Sequence, residues 1–213
     1  MGGDVKRNKP VFFTKPNIDG VVYAGCLGNS SDKPTSIDYP PDTKNLHYEV
    51  ELVVAIGKEP NDCVPNDVLS PNILDCVFGY AVGIDLTRRD LQDEAKSKQW
   101  PWDTAKYFDQ SAPIGPITPR KEGNEDYFDD NTGKLEKRTM ALTVNGATRQ
   151  SVDLEKMIWK VPEILSELSK SFRLKPGDLV MTGTPSGVGP VVVGDRLIGT
   201  IDGLVEPVDI TLV

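Results

Sequence analysis

The sequence has little of the chemistry on which many enzymes and secreted proteins depend. Histidine occurs once, as His47, which excludes any mechanism or metal site that needs two histidines. The three cysteines, Cys26, Cys63 and Cys76, show no Cys-x-x-Cys spacing, which argues against a disulfide framework and a structural zinc site. No hydrophobic run approaches the ~20 residues of a membrane-spanning helix, and Met1 is not followed by an apolar signal segment. We expect inert thiols and a cytoplasmic protein, or a mitochondrial one if the N-terminus is truncated.

Positive charge is also scarce. The chain has 24 Lys and Arg against 32 Asp and Glu, a formal net charge of -8, so binding to nucleic acid is not expected. Its 213 residues are enough for one domain with a substantial core, and we predict a single domain over residues 1–213. The 19 glycines and 17 prolines favour many turns and short strands. The predicted fold class is therefore mixed α/β and rich in β-structure.

Two segments read most clearly as buried strands, 46–56 and 77–86, because both are rich in Val, Ile and Leu. Asn145-Gly146 predicts a tight hairpin turn between strands 140–144 and 147–150. A helix over 154–170 would either be kinked by Pro162 or begin there. The remaining predictions are strands at 11–13, 179–182, 196–201 and 205–212, a helix over 88–98 capped by Thr87, a long loop at 24–45 and a charged, solvated insertion at 120–138.

Glu49 and Glu51 lie two residues apart in the first of these strands. Because side chains alternate along a strand, both carboxylates point to one face, within roughly 7 Å of each other. Their apolar neighbours indicate a buried strand, where a carboxylate is costly unless it is paired or bound to metal. A divalent cation would attract both groups. The alternative is a strand with a solvent-facing acidic side, or an edge strand.

Asp85 ends the second strand just before a helix, which is a frequent ligand position in mixed α/β folds. Arg89 and Gln92 follow on one helical face. Three carboxylates without a second histidine would form an all-oxygen site, which suits Mg²⁺, Mn²⁺ or Ca²⁺ better than zinc or copper. The alternative for Arg89 is a surface charge network with Arg88 and Asp90.

Lys106 and the segment 183–189 have open interpretations. An isolated lysine such as Lys106 is usually a solvated surface residue. The segment 183–189 (GTPSGVG) lacks the Gly-Lys-Ser/Thr ending of a phosphate loop, so nucleotide binding is rejected. Its backbone amides and the Thr184 hydroxyl could hold a small anion such as a carboxylate. The alternative is a plain connecting loop.

Six segments in combination carry a family resemblance that runs from about residue 10 to the C-terminus. They are 10–16 (PVFFTKP), 46–58 (LHYEVELVVAIGK), 79–92 (GYAVGIDLTRRDLQ), 101–113 (PWDTAKYFDQSAP), 144–146 (VNG) and 182–190 (TGTPSGVGP). The chain resembles the fumarylacetoacetate hydrolase family, and within it the acylpyruvase and fumarylpyruvate hydrolase branch.

The resemblance implies a mixed β-roll with a few peripheral helices and hydrolysis of a C–C bond in a β-diketo acid or related 2-oxo acid. It also implies a homodimer and a divalent cation, with Mg²⁺ expected first. The metal ligands it implies are Glu49, Glu51 and Asp85. The catalytic residues expected are Lys106, Gln92 and Arg89, and the residues expected to bind substrate are Thr184, Gly183 and Lys15.

The first nine residues depart from the family pattern. Family hydrolases carry an Asn-Tyr-x-x-His stretch with a nearby Glu upstream of the segment at 10–16, and this pair activates the attacking water. Residues 1–9 contain neither His nor Glu. Loss of a general base typically costs ~10²–10⁴-fold in rate, so we expect slow hydrolysis. Three explanations stay open: a shortened chain, chemistry that needs no such base, or a poor enzyme.

Two alternatives to hydrolysis follow from this departure. A 2-oxo acid tautomerase, an isomerase or an oxaloacetate decarboxylase would use the same metal site without an attacking water. A metal-binding domain without catalytic activity is the other alternative.

Overall fold

A computed structural model describes residues 9–25, 34–59, 73–120, 128–129, 134–135, 138–204 and 206–213. Strands outnumber helices among these residues. In chain order the strands are β1 (Val21–Tyr23), β2 (Thr35–Ile37), β3 (Leu46–Tyr48), β4 (Val50–Ile56), β5 (Val77–Ile84), β6 (Thr87–Arg88), β7 (Ala112–Ile114), β8 (Thr118–Pro119), β9 (Phe128–Asp129), β10 (Lys134–Leu135), β11 (Thr139–Val144), β12 (Ala147–Asp153), β13 (Leu179–Met181), β14 (Gly189–Val191), β15 (Arg196–Ile201) and β16 (Val208–Leu212).

Helices are few and short in the described residues. They are α1 (Arg89–Lys98), α2 (Asp103–Lys106) and α3 (Val161–Ser169), with 3₁₀ turns at Ile73–Cys76 and Leu154–Lys156. The result is the β-rich mixed α/β fold that the sequence predicts.

The strands form one six-stranded, one five-stranded, one three-stranded and one two-stranded sheet. The six-stranded sheet has the order β1-β7-β5-β4-β13, with β8 also paired to β5. The five-stranded sheet has the order β12-β11-β15-β16-β2, the three-stranded sheet is β14-β3-β6, and the remaining pair is β9 with β10. The two long central strands, β4 and β5, pair antiparallel, with Val50 opposite Ile84 and Glu51 opposite Gly83.

The chain passes from one sheet to another at two of the acidic residues that are expected to bind metal. Glu49 separates β3 of the three-stranded sheet from β4 of the six-stranded sheet, and Asp85 lies between β5 and β6 of the same two sheets. The backbone N–H of Asp85 donates to the carbonyl of Glu49 at 2.8 Å. This junction brings both carboxylates to one point, although they are 36 residues apart in the sequence.

Strand β4 is buried along its whole length. Its Val50, Leu52 and Val54 side chains pack in the main hydrophobic core, while Val53 joins a smaller cluster with Ala81 and Ile114. Because neighbouring residues on a strand face opposite sides, Glu49 and Glu51 are on the side of the smaller cluster. Their burial agrees with the sequence argument, and the alternative of a solvent-facing acidic side is wrong. The alternative of an edge strand is wrong too, because β4 lies between β5 and β13.

Several predicted elements are present. The Asn145-Gly146 turn has positive φ at both residues, 51° and 80°, as a type I′ turn requires. Of the two possibilities for Pro162, the structure has the helix beginning there. Pro162 lies in the first turn of α3, where its missing N–H costs no helical hydrogen bond. The backbone N–H of Lys160 donates to Glu163 at 2.7 Å, which stabilises this helix start.

Two local predictions are wrong. Residues 11–13 are not a strand, and the Val11 and Phe12 side chains are exposed; prolines at 10 and 16 remove backbone donors from this segment. Thr87 does not cap a helix, because it lies in β6 and α1 begins at Arg89 without a side-chain cap. The side chain of Thr87 instead accepts a hydrogen bond from Lys106.

The predicted loops and cysteines are only partly described. The segment 24–45 is not loop throughout, since it contains β2, which pairs parallel to β16. In the predicted insertion at 120–138, the described part includes an antiparallel pair of two-residue strands, and residues 121–127, 130–133 and 136–137 lie outside the description. Cys76 is buried, and its thiol donates to the carbonyl of Ile73, as expected of an inert cysteine, whereas Cys26 and Cys63 are not described.

Among the described residues, no helix has both the length and the apolar character needed to cross a bilayer.

Candidate metal centre and active site

Glu49, Glu51 and Asp85 form a compact cluster of carboxylates. One oxygen from each of the three lies within 4.8 Å of the others. The residues are 8%, 4% and 1% exposed, so the cluster is nearly closed to solvent. The β4–β5 register and the change of sheet at Glu49 and Asp85 hold the three side chains together, because each is attached to a backbone already fixed by strand pairing.

Lys106 enters this cluster from the C-terminal end of α2. Its ammonium donates to Glu49 Oε2 at 2.9 Å, to Asp85 Oδ2 at 2.5 Å and to Thr87 Oγ1 at 2.5 Å. The residue is 2% exposed. The interpretation of Lys106 as a solvated surface residue is therefore wrong. The ring of Phe13 lies over the ammonium, with 4.8 Å between the ring centroid and Nζ.

Lys15 provides a second ammonium on the opposite oxygen of Asp85. Its Nζ lies 2.6 Å from Asp85 Oδ1 and donates to the carbonyl of Leu86 at 2.9 Å. Burial lowers the pKa of Lys15, although its pairing with Asp85 acts in the opposite direction. Burial likewise pushes the pKa of Asp85 upward, but Lys15 and Lys106 outweigh burial and hold this pKa below its usual range. Asp85 is therefore an ionised carboxylate between two cations.

Arg89, on the first turn of α1, contacts Glu49. Its Nη2 donates to Glu49 Oε1, its Nη1 donates to Gln92 Oε1, and its Nε donates to His47 Nδ1 at 3.3 Å. Three acceptors thus fix the plane of the guanidinium. Arg89 faces the site, and the surface network considered for it is wrong. Burial, followed by the neighbouring Arg89 cation, lowers the pKa of His47, which is consistent with a neutral ring that accepts from Arg89.

Glu51 is the one carboxylate of the cluster without a salt bridge among the described residues. Its polar contact is the backbone N–H of Gly183, which donates to Oε2 at 2.7 Å. Burial, with the negative charges of Asp85 and Glu49 adding to it, raises the pKa of Glu51 to about 8. Glu49 and Asp85 each already have cationic neighbours, so Glu51 is the carboxylate whose ionised form lacks an ion-pair partner among the described residues.

This distribution of charge fits a divalent cation. Three carboxylate oxygens within 4.8 Å of one another are a hard donor set typical of Mg²⁺ or Mn²⁺. A buried carboxylate with a raised pKa is a group that a cation would stabilise in its ionised form. The residues present therefore fit a bound divalent metal, and each of the three can contribute at least one oxygen.

The loop 183–189 closes one side of the cluster. Gly183 contacts Glu51 as described, and the next residue, Thr184, is partly buried. Gln150 of β12 is almost fully buried and donates from Nε2 to the Thr184 hydroxyl at 2.9 Å. The loop is thus attached to the cluster by specific hydrogen bonds, which a plain connecting loop would not need.

All nine site residues expected from the sequence lie at or beside this cluster: Glu49, Glu51, Asp85, Lys106, Gln92, Arg89, Thr184, Gly183 and Lys15. Four contributors were not anticipated: Thr87, Phe13, Gln150 and His47 as the partner of Arg89. His47 had a usable signal, since strand alternation puts it on the face of Glu49. The contacts of the other three depend on long-range packing.

The raised pKa of Glu51 has a consequence for stability that can be measured. In metal-free protein the folded state holds a proton on Glu51 up to about pH 8, whereas the unfolded chain releases it near 4.5. The stabilisation that Glu51 contributes to the folded state is complete below its pKa in the unfolded chain, and it is lost as the pH rises toward 8. We expect wild-type protein in chelator to become less stable relative to Glu51→Gln between pH 6 and 9, measured by urea unfolding. The titration of His47 contributes equally to both proteins and therefore cancels in this difference. If the free energies of unfolding of the two proteins changed in parallel with pH, the raised pKa could not belong to Glu51.

Comparisons with known proteins agree with this geometry. The family model "Fumarylacetoacetate (FAA) hydrolase C-terminal" matches residues 4–209. A fumarylpyruvate hydrolase from a Ralstonia species is 44% identical over 171 residues, covering 80% of this chain and 81% of that protein. The human mitochondrial oxaloacetate tautomerase is 37% identical, covering 93% of this chain and 79% of that protein.

A solved structure has the same fold. It is fumarylpyruvate hydrolase from Pseudomonas aeruginosa in complex with Mn²⁺ and pyruvate, 43% identical, with a TM-score of 0.79, covering 100% of this chain and 82% of that one. The family match spans most of the chain and the relatives exceed a third identity. The chain therefore belongs to the fumarylacetoacetate hydrolase family of metal-dependent hydrolases.

Proposed function

We propose that this protein hydrolyses a C–C bond of an acylpyruvate, with fumarylpyruvate as the first candidate substrate and Mg²⁺ as the working metal. The observation that carries the proposal is the buried triad of Glu49, Glu51 and Asp85 with the Lys106 ammonium within 2.9 Å of two of its members. The Ralstonia relative and the Pseudomonas complex with Mn²⁺ and pyruvate support the substrate class. The homodimer and the single-domain organisation expected from the sequence remain proposals as well.

The three carboxylates would hold the metal. A divalent cation in such a site supplies a Lewis acid that favours negative charge on the 2-oxo group of the substrate. Glu49 and Asp85 are ion-paired to Lys106, which keeps their oxygens oriented toward the centre of the cluster. Gly183 does the same for Glu51 through its backbone N–H.

Lys106 would stabilise the charge that develops during bond cleavage. Water would add to the acyl carbonyl carbon, and the bond from that carbon to the pyruvate part would then break. The acyl group would leave as a carboxylate, and the electron pair of the broken bond would be delocalised as an enolate that takes up a proton to give pyruvate. A fixed positive group near the enolate oxygen lowers the energy of this state, and it does so more strongly where water is excluded. Lys106 meets both conditions, because it is fixed by three hydrogen bonds and almost fully buried.

The remaining residues would bind and orient the substrate. Arg89 and Gln92 offer a guanidinium and an amide on one face of α1, held by their contact with each other. Gly183 and Thr184 offer a backbone turn and a hydroxyl for the substrate carboxylate. Lys15 neutralises one oxygen of Asp85 and adds positive charge at the site.

A chelator experiment tests the proposal. Purified protein loaded with Mg²⁺ is expected to release pyruvate from fumarylpyruvate. Incubation with excess EDTA should lower this rate at least ~100-fold, because the cation is part of the charge stabilisation. Addition of Mg²⁺ or Mn²⁺ in excess over EDTA should restore it. Hydrolysis at an unchanged rate in EDTA would refute a metal-dependent mechanism.

Tautomerisation of a 2-oxo acid such as oxaloacetate is the second candidate. The observation that favours it is the human oxaloacetate tautomerase, which matches 93% of this chain. This reaction moves a proton between carbon and oxygen and needs no attacking water. Enol–keto exchange of oxaloacetate without cleavage of fumarylpyruvate, measured with the same metal-loaded protein, would favour this candidate over hydrolysis.

A further inference from the structure

Gln150 is a buried polar residue outside the set considered so far for catalysis or metal binding. It lies in the middle of β12, is 1% exposed and points inward between exposed neighbours. A buried primary amide is costly unless its oxygen and both hydrogens are bonded. All three are bonded here, and every bond goes to the strand of the metal ligands or to the loop beside it.

The partners of Gln150 determine which way its amide points. Oε1 accepts from the backbone N–H of Val50 at 3.0 Å, and Nε2 donates to the carbonyl of Pro185 at 3.0 Å. A backbone N–H can only donate and a proline carbonyl can only accept, so these two partners exclude the flipped amide. The second hydrogen of Nε2 is therefore directed at Thr184 Oγ1, 2.9 Å away.

This orientation assigns a direction to the Thr184 hydroxyl. A hydroxyl has one hydrogen to donate and two lone pairs to accept with. Because Thr184 already accepts from Gln150, its own hydrogen is left for another acceptor. No acceptor for it is found among the residues that the structure describes. A carboxylate oxygen of a bound ligand is such an acceptor, and a hydrogen bond to a charged oxygen is stronger than one to a neutral group.

The loop 183–189 packs closely against β12, so the Gln150 amide can fix its position. At Gly187, where φ is +102°, an added Cβ would lie 2.5 Å from the carbonyl oxygen of Arg149, so the loop backbone touches β12 directly. At the other end, Gly183 is bonded to Glu51. Val50, the third partner of Gln150, lies between the two metal-binding glutamates. One side chain thus connects β4, β12 and the loop.

We propose that Gln150 is a positioning residue that orients the Thr184 hydroxyl to donate to the carboxylate of a 2-oxo acid. The inference rests on the proposed function, because it takes the metal triad and a carboxylate-bearing substrate as given. Gln150 itself does not touch the substrate in this scheme. Its effect passes through Thr184, and it should therefore change ligand affinity more than the rate of the chemical step.

The test compares Gln150→Met with wild type in protein loaded with Mn²⁺. Methionine keeps the length of the side chain and removes all three hydrogen bonds. We expect the dissociation constant of pyruvate, measured by calorimetry, to rise about tenfold, in the range for loss of a hydrogen bond to a charged group. For fumarylpyruvate, KM should rise by a similar factor with kcat changed less than about threefold, and Mn²⁺ affinity should be unchanged. Gln99→Met, at an exposed position, is the matched control.

Double variants, in which Thr184 is changed as well, separate a positioning role of Gln150 from general structural damage. In Thr184→Val, which has no hydroxyl, Gln150→Met should raise the pyruvate dissociation constant less than about twofold further, whereas in Thr184→Ser it should keep its full effect. Equal effects in the valine and serine backgrounds would overturn the proposal. If Gln150→Met does not fold, Gln150→Asn, which is too short to reach Val50 and Thr184 together, replaces it with the same expected results.

The outcomes also separate this proposal from the proposed function. Wild-type protein that binds pyruvate in the presence of Mn²⁺, with an unchanged dissociation constant in Gln150→Met, would overturn the role of Gln150 alone. Wild-type protein that binds Mn²⁺ but not pyruvate would overturn both.

Discussion

Asp85→Asn is expected to lower the affinity for Mn²⁺ at least ~100-fold and to reduce fumarylpyruvate hydrolysis by a comparable factor or more. Residues that only support metal ligands already contribute ~10–100-fold to affinity, and Asp85 is proposed to supply one of three direct ligand oxygens. Asparagine preserves the size of the side chain but removes the charge. The substitution therefore tests the ligand role of Asp85 with little change in packing.

The same substitution also leaves Lys15 and Lys106 with one counter-charge fewer. Unpaired buried charges destabilise a fold, so metal binding has to be measured below the unfolding temperature of the variant. Asp75→Asn is the control, since Asp75 is an exposed aspartate that does not belong to the carboxylate cluster. Isothermal titration with Mn²⁺ and a pyruvate-release assay are the measurements. An affinity within about threefold of wild type would contradict the triad as the metal site.

Lys106→Met is expected to separate metal binding from catalysis. Removal of the ammonium leaves Glu49 and Asp85 with more uncompensated negative charge, so Mn²⁺ affinity should be retained or increased. Hydrolysis should nevertheless fall by about 10²–10³-fold, because a fixed charge that stabilises the developing enolate is lost. If Lys106 instead helped to hold the metal, its removal would lower the Mn²⁺ affinity and the rate of hydrolysis together.

Lys98→Met is the control for this second experiment, because Lys98 is a half-exposed lysine paired with Glu94 on the surface. The comparison uses saturating Mn²⁺ and steady-state kinetics with fumarylpyruvate. Unchanged kcat in Lys106→Met would show that this ammonium has a structural role only. A parallel loss of Mn²⁺ binding and activity would indicate that the lysine is needed to assemble the triad.

Local sequence patterns were sufficient to predict those features of the structure that depend only on residues close together in the chain. Alternation along a strand determines that Glu49 and Glu51 share a face, whatever the rest of the chain does. The Asn145-Gly146 turn is equally local, because few other residue pairs adopt positive φ twice in succession. Burial of the glutamates followed from the apolar residues between and after them.

Predictions failed where a neighbour in space, not in sequence, decided the structure. The apolar run 11–13 forms no strand, because the segment lies between prolines and Phe13 instead packs over Lys106 and against Trp102. Thr87 has the sequence context of a helix cap, yet it pairs with His47 in a strand. Lys106 resembled an ordinary surface lysine until α2 placed it in the interior.

The amino-acid sequence by itself determined the residue types of the site: an acidic pair on one strand, a third carboxylate after another strand, and too few histidines for any soft or nitrogen-rich metal site. Only the tertiary structure decided which cation compensates which carboxylate, and that Glu51 is left without a cation among the residues in the described ranges. It also decided that Gln150 connects the loop 183–189 to β4. The physical reason is that spacing along the chain constrains direction over a few residues, whereas charge compensation and hydrogen bonding depend on distances between strands that are far apart in sequence.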